Sequence, residues 1–104
     1  MNNYDIIKQA ILKKQQITAT YNGLHREMCP HVIGKKNGKA HCLFYQFAGQ
    51  SSSGSIVPNS LENWRCIPVD KLKDVVAREG EWNTAGNHST SQTCVDDVDV
   101  EVQF

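Results

Sequence analysis

Arginine and tyrosine side chains on predicted strands are the residues best suited to bind a charged ligand. Arg65 is two residues from Ile67 in an apolar segment, and residues two apart in a strand point to the same side. If Tyr45 also faces the core, Arg65 lies beside it. An arginine next to an aromatic concavity is costly unless it meets an anion, a carboxylate or carbonyls. We expect this pair to contact a ligand. The structural alternative is an Arg65 that stacks on Trp64 or Tyr45, or pairs with Glu27 or Glu62, and only covers the end of the barrel.

A second cation and a serine-rich loop complete the candidate site. Arg26 or His31, on the strand before Tyr45, can join Arg65, although a single histidine on a strand is more often structural. The loop 49–54 offers backbone N–H groups and hydroxyls for a phosphate or carboxylate, or is simply a hairpin connection. The predicted ligand-binding residues are Tyr21, Arg26, His31, Tyr45, Gln46, Ser51, Ser52, Ser53 and Arg65.

Metal binding and nucleophilic catalysis have weaker support. Candidate zinc ligands are present but lack the usual C-x-x-C or H-x-x-x-H spacing: Cys29, His31, His41, Cys42, Cys66, His88 and Cys94. No G-x-S-x-G motif or dinucleotide fingerprint occurs. We therefore expect no cofactor, no metal and no catalytic residues, and interpret the cysteines as reduced, mostly buried packing residues.

These side chains need a sheet to position them. Isoleucines at helical spacing predict one amphipathic helix over 3–14, with Asn3 as its cap. Asn22-Gly23 and Asn37-Gly38 are typical of type I′ hairpin turns. Predicted strands cover 16–22, 24–34, 40–48, 64–69 and the acidic end of the chain.

Face assignments follow from strand alternation. Leu43, Tyr45 and Phe47 are expected to face the core with Ile17, Ala19 and Tyr21. Pro30 predicts an edge position or a bulge. After the fourth strand, Asp70 caps a short turn, and Leu72, Val75 and Val76 close the core. At the end of the chain, Val98, Val100, Val102 and Phe104 share one face of an acidic edge strand.

The length and composition of the chain are those of one small domain. The chain has 104 residues, 39% of them hydrophobic, and a mean hydropathy of −0.48. We expect a helix and barrel over 1–78 and a polar loop plus strand packed on it over 79–104. No membrane-length apolar run or secretory signal occurs, so we expect a cytoplasmic protein. Net charge is zero, yet residues 1–41 carry seven Lys/Arg against two Asp/Glu, and 42–104 carry four against nine.

The order of these features resembles the WYL domain, a small Sm-like or SH3-like β-barrel of bacterial regulators and defence-associated proteins. The resemblance covers about residues 4–76. It depends on Ile6-Ile7-x-x-Ala10-Ile11, Ile17-x-x-x-Tyr21-x-Gly23-x-x-Arg26 with Pro30, Leu43-Phe44-Tyr45, and Arg65-x-Ile67-x-Val69-Asp70-x-Leu72 before Val75. The Trp-Tyr-Leu run itself is absent. The resemblance implies sensing of nucleotides or nucleic acid through Tyr21, Arg26, Tyr45 and Arg65.

The expected fold is therefore mostly β (α+β): a small SH3/Sm-like antiparallel barrel preceded by one helix, with a C-terminal acidic edge strand. The expected function is non-enzymatic binding of a small anionic ligand, a nucleotide or single-stranded nucleic acid, with no membrane partner. One alternative is a protein-interaction module that uses the edge strand with Trp64 or Trp82, which includes homo-oligomers. Another is a small cysteine- or metal-dependent enzyme.

Overall fold

The computed structural model describes residues 2–49, 63–82 and 94–102. The first element, α1, spans Asn3–Lys13 and is capped by Asn2, whose side chain accepts a 2.9 Å hydrogen bond from the Asp5 amide. The cap is thus one residue earlier than predicted. Asn3 instead donates from Nδ2 to the Val69 and Leu72 carbonyls, and so ties the helix to the turn after the fourth strand. Within the described ranges, no helix has the length and apolar character needed to span a membrane.

Antiparallel strands make up most of the described chain. Their bounds are β1 Gln16–Tyr21, β2 Leu24–Lys36, β3 Lys39–Gly49, β4 Trp64–Pro68, β5 Lys73–Arg78 and β6 Asp97–Glu101, with a 3₁₀ turn at Val69–Lys71 between β4 and β5. The strand order is β4-β3-β2-β1-β5, and β6 pairs with β2. Within the described residues β4 and β5 do not pair, so the sheet is open rather than closed into a barrel.

Two tight turns fix the register of the central strands. Asn22 and Gly23 have φ values of 54° and 75°, and Asn37 and Gly38 have 52° and 80°. Positive φ at both central residues is what a type I′ turn requires. Both predicted hairpins are confirmed.

The strand β2 is long and interrupted near Pro30. Its pairing with β1 ends at Met28, its pairing with β6 begins at Val32, and its register with β3 shifts between Pro30 and Val32. Proline cannot donate to a ladder, and here it lies in the gap between the two partners on that edge. The predicted bulge is confirmed, and it lies where one edge of β2 changes its pairing partner from β1 to β6.

The strand β5 corrects the prediction for the segment after β4. Asp70 does not cap the turn, which has no side-chain cap. Residues 73–78 form a strand paired with β1, and Val76 is 55% exposed instead of closing the core.

The last strand is an acidic strand paired on one side only, but its valines do not share one face. Val102 is buried, whereas Val98 is 45% exposed. The register with β2 shifts between Ile33 and Gly34, which breaks the alternation of side chains. Phe104 lies outside the described residues.

The main core lies between α1 and one face of the sheet, which we call the helix side. Its central members are Ile7 and Ile11 from α1 and Ile17, Met28 and Phe44 from the sheet. The opposite face, the far side, carries a smaller cluster of Val32, Leu43, Cys94 and Val95.

Candidate functional site

Four of the predicted site residues meet on the helix side of the sheet: Tyr21, Arg26, Gln46 and Arg65. Arg26 pairs with Ala19 across the β1–β2 ladder, and Arg65 pairs with Phe44 across the β3–β4 ladder. Because Ala19 and Phe44 belong to the helix-side core, both arginines point to that side.

Arg26 is the centre of this group, and its side chain is almost fully enclosed. The residue is 2% exposed. Its Nη1 donates to Oε1 of the buried Gln46 at 3.3 Å, and its Cζ lies 5.0 Å from the ring centroid of Tyr21. Gln46 is held in turn by a 3.1 Å bond from its Nε2 to the Ala48 carbonyl. An amide oxygen and an aromatic face therefore surround the guanidinium.

One edge of the Arg26 guanidinium lacks hydrogen-bond partners among the described residues. Nε and Nη2 are both buried, and neither atom is bonded to a residue of that part of the chain. These two nitrogens form the side-on edge of the guanidinium, which binds a carboxylate or phosphate through two parallel bonds. In the described part of the chain, no carboxylate forms an ion pair with Arg26.

The electrostatic environment opposes the charge on Arg26. Burial lowers the pKa of Arg26 below its ordinary value, and the nearby positive charge of Arg65 lowers this pKa further. Two cations thus lie close together in a partly enclosed region. Such an arrangement favours an anion over any neutral ligand.

Tyr45 and His31 lie on the far side, which corrects the predicted pairing of Tyr45 with Arg65. Tyr45 pairs with Cys29 on β2 and Trp64 on β4. Its hydroxyl accepts a 3.4 Å hydrogen bond from Asn63, and its ring lies 5.1 Å from that of Trp64. Cys42, Phe44 and Gln46 face the helix side instead, the reverse of the predicted parity for this strand.

His31 is the centre of an aromatic cluster on the far side. Its ring lies 4.7 Å from that of Trp64 and 4.9 Å from that of Trp82. Its Nδ1 lies 2.9 Å from the Cys29 carbonyl, and since a carbonyl only accepts, Nδ1 carries the proton. His31 is thus a packed, oriented side chain that does not join Arg26.

Comparison of the chain with protein-family models, curated proteins and solved structures finds no match. The geometry around Arg26 is therefore the basis on which a function can be proposed. Ser51, Ser52 and Ser53 lie outside the described residues.

The cysteines correct a further prediction. Cys66 and Cys94 form a disulfide that joins β4 to the segment before β6. Cys29 and Cys42 are buried thiols, and burial raises the pKa of the Cys42 thiol well above its ordinary value. Within 2–49, 63–82 and 94–102, no three His, Cys, Asp or Glu side chains gather as metal ligands would.

The sequence did not predict the contact that Asn63 makes or the position of Gln46 beside Arg26. Asn63 is 3% exposed and bonds the Tyr45 hydroxyl. The adjacent Trp64 was a visible signal for an aromatic cluster, but the contact joins residues 18 apart in the chain. Gln46 could have been placed with Arg26 only if the faces of β3 had been assigned correctly.

Proposed function

We propose that this chain is a non-enzymatic binding module that recognises an anionic or nucleotide-like ligand through Arg26 and Arg65. The observation that carries the proposal is the buried Nε and Nη2 edge of Arg26, which has no hydrogen-bond partner in ranges 2–49, 63–82 and 94–102. Buried hydrogen-bond donors are normally paired, and each one left unsatisfied costs about 1–3 kcal/mol. An oxyanion with two acceptors in one plane removes that cost.

The neighbours of Arg26 support an anion as the ligand. Gln46 supplies one neutral acceptor, and Tyr21 supplies a ring face. Arg65 adds a second positive charge. Tyr21 and Arg65 are only partly buried, so the proposal requires the ligand to approach the enclosed edge past these two side chains.

A nucleotide or single-stranded nucleic acid is the ligand class that we favour. Its phosphate fits the side-on edge of an arginine, and a tyrosine ring can stack on a base. The resemblance to the WYL domain, with its barrel and its nucleotide sensing, supports the same class. Closure of the open sheet into such a barrel remains part of this proposal.

A cytoplasmic location also remains a proposal. Disulfides are rare in the reducing cytosol, so the Cys66–Cys94 bond is the observation that weighs against it. Alkylation of the protein's thiols in intact cells, followed by mass measurement, distinguishes a reduced pair from an oxidised one.

The test is a titration of the native protein with inorganic phosphate, nucleoside mono- and triphosphates, and a short oligodeoxynucleotide. We expect binding that weakens as salt rises from low to physiological concentration. Arg26→Met keeps the buried volume but removes the charge, and it should weaken binding at least about tenfold, the equivalent of one charge-assisted hydrogen bond. The matched control is Lys39→Met, which removes an exposed charge at the start of β3.

A stability measurement separates binding from folding. Replacing a buried, poorly paired charge by an apolar side chain is often neutral or stabilising by about 1–4 kcal/mol. Arg26→Met should therefore fold at least as stably as the native chain while losing ligand. The proposal fails if no ligand in the panel binds the native protein, or if Arg26→Met binds as tightly as Lys39→Met.

A further inference from the structure

Two sheet edges of this chain are exposed and carry opposite charge. The strand β5 pairs only with β1, and β6 pairs only with β2, among the described residues. Each strand carries an exposed valine, Val76 in β5 and Val98 in β6. Exposed strand edges are ready templates for pairing with another chain.

The edge of β5 borders an apolar groove with basic residues around it. The groove has a volume of about 480 Å³ and lies between α1 and β5. Its apolar lining comes from Ile6, Val75 and Val76, and Lys13 contributes a charge. Lys73 lies at one end of β5, and Arg78, which also pairs with Glu27 on β2, lies at the other. A strand added here would set alternate side chains over the groove.

The edge of β6 has the complementary character. Asp97, Asp99 and Glu101 are exposed along the strand, and Asp96 precedes it. Asp99 is tied to α1 by a 2.7 Å hydrogen bond from the Tyr4 hydroxyl. The other carboxylates lie on either side of Val98 along the same exposed strand.

We propose that β5 of one copy of this chain pairs with β6 of a second copy. An antiparallel pairing centred on Val76 and Val98 brings Lys73 toward Glu101 and Arg78 toward Asp96. Opposite charges across a strand pair stabilise it, and like charges directly opposite destabilise it.

Charge also selects this arrangement over the two symmetric ones. Pairing β6 with β6 places carboxylates against carboxylates, and pairing β5 with β5 in antiparallel register places Lys73 against Arg78. Only the mixed pairing matches signs. Such a contact is head-to-tail, so it extends to rings or chains of copies.

The test is sedimentation velocity of the native protein and two edge variants, with circular dichroism to verify folding. Native protein should associate with rising concentration and dissociate with rising salt. Val76→Asp sets a carboxylate against acidic β6, and Val98→Lys sets a cation against basic β5, so each variant alone should stay monomeric. Both positions are exposed, and Lys39→Asp is the control that should associate like the native chain.

A mixture of the two variants gives the decisive result. Val76→Asp retains a native β6 edge and Val98→Lys retains a native β5 edge, so an equimolar mixture should associate although neither variant associates alone. A mixture that stays monomeric overturns the proposal, as does a native protein that is monomeric at every concentration. Loss of association in only one of the two variants would show a symmetric interface and also overturn it.

Discussion

Removal of the Cys66–Cys94 disulfide is expected to lower the stability of the fold strongly. The two residues are 28 apart in sequence, so the bond restricts a loop of that size in the unfolded chain. Loop-closure entropy for this length corresponds to about 3.5 kcal/mol at 25 °C. The bond also anchors the start of the segment that leads into β6, where Cys94 and Val95 pack on Val32.

Equilibrium urea unfolding measures this effect directly. With a urea m-value of about 1.5 kcal/mol/M, the Cys66→Ala/Cys94→Ala variant should unfold at a midpoint roughly 2 M lower than the oxidised native protein. A reductant should shift the native protein by a similar amount and leave the variant unchanged. Thiol titration of the unfolded, unreduced native chain should find only the two thiols of Cys29 and Cys42. Four thiols, or equal midpoints with and without reductant, would refute the reasoning.

Two further changes address the contacts of β6. Gly34→Ala should destabilise the fold by about 1–3 kcal/mol in urea unfolding, because a Cβ there would overlap the Asp97 carbonyl. The control is Gly38→Ala, whose Cβ meets open space at φ 80° and which should cost only about 1 kcal/mol. Equal losses of stability in the two variants would contradict the close approach at Gly34. The hydrogen bond from Tyr4 and the charge of Lys8 hold the pKa of Asp99 below its usual 3.8. This contribution to stability is complete above that value and disappears as pH falls through the lower folded pKa. In Asp99→Asn, the urea midpoint of unfolding should therefore fall less steeply at acidic pH than in the native protein. An unchanged pH dependence would contradict a stabilising role for the Asp99 carboxylate.

Local signals in the sequence predicted the hairpins and the bend. Asn-Gly pairs adopt positive φ at little cost, so Asn22-Gly23 and Asn37-Gly38 determine their turns without help from distant residues. Pro30 interrupts a ladder wherever it stands. These features depend on two or three adjacent residues, which is why sequence alone predicts them.

The faces of β3 were not predictable in the same way. Both alternations of this strand are largely apolar, Leu43-Tyr45-Phe47 on one parity and Cys42-Phe44 on the other. Both faces of β3 pack against other residues, so the alternation of side chains says little about which face meets the helix. The register shift between Glu27 and Met28 against β3 then decides which parity faces α1. That shift depends on pairing between strands, which no local pattern encodes.

The disulfide and β5 were missed because both depend on distant partners. Cys66 and Cys94 sit in unrelated segments, and connectivity cannot be derived from spacing. The strand β5 follows a 3₁₀ turn and includes Asp74 at φ 54°, a backbone irregularity that weakens its alternation. Its pairing with β1 is what makes it a strand.

Arg26 is a charged residue at a position where the fold would be more stable with an aliphatic one. Arg26 lies two residues from Met28 on β2 and faces the same helix side. An aliphatic residue there would extend the core formed by Ile17 and Met28. A guanidinium there loses hydration, and the described residues give it only one amide acceptor and one ring face. A structural arginine in such a place is normally paired with a carboxylate. Since the described chain supplies none, and adds the charge of Arg65 nearby, the side chain makes the fold less stable than an aliphatic one would. Under the proposed function, an anionic ligand offsets this cost by bonding the edge of Arg26 that has no partner among the described residues.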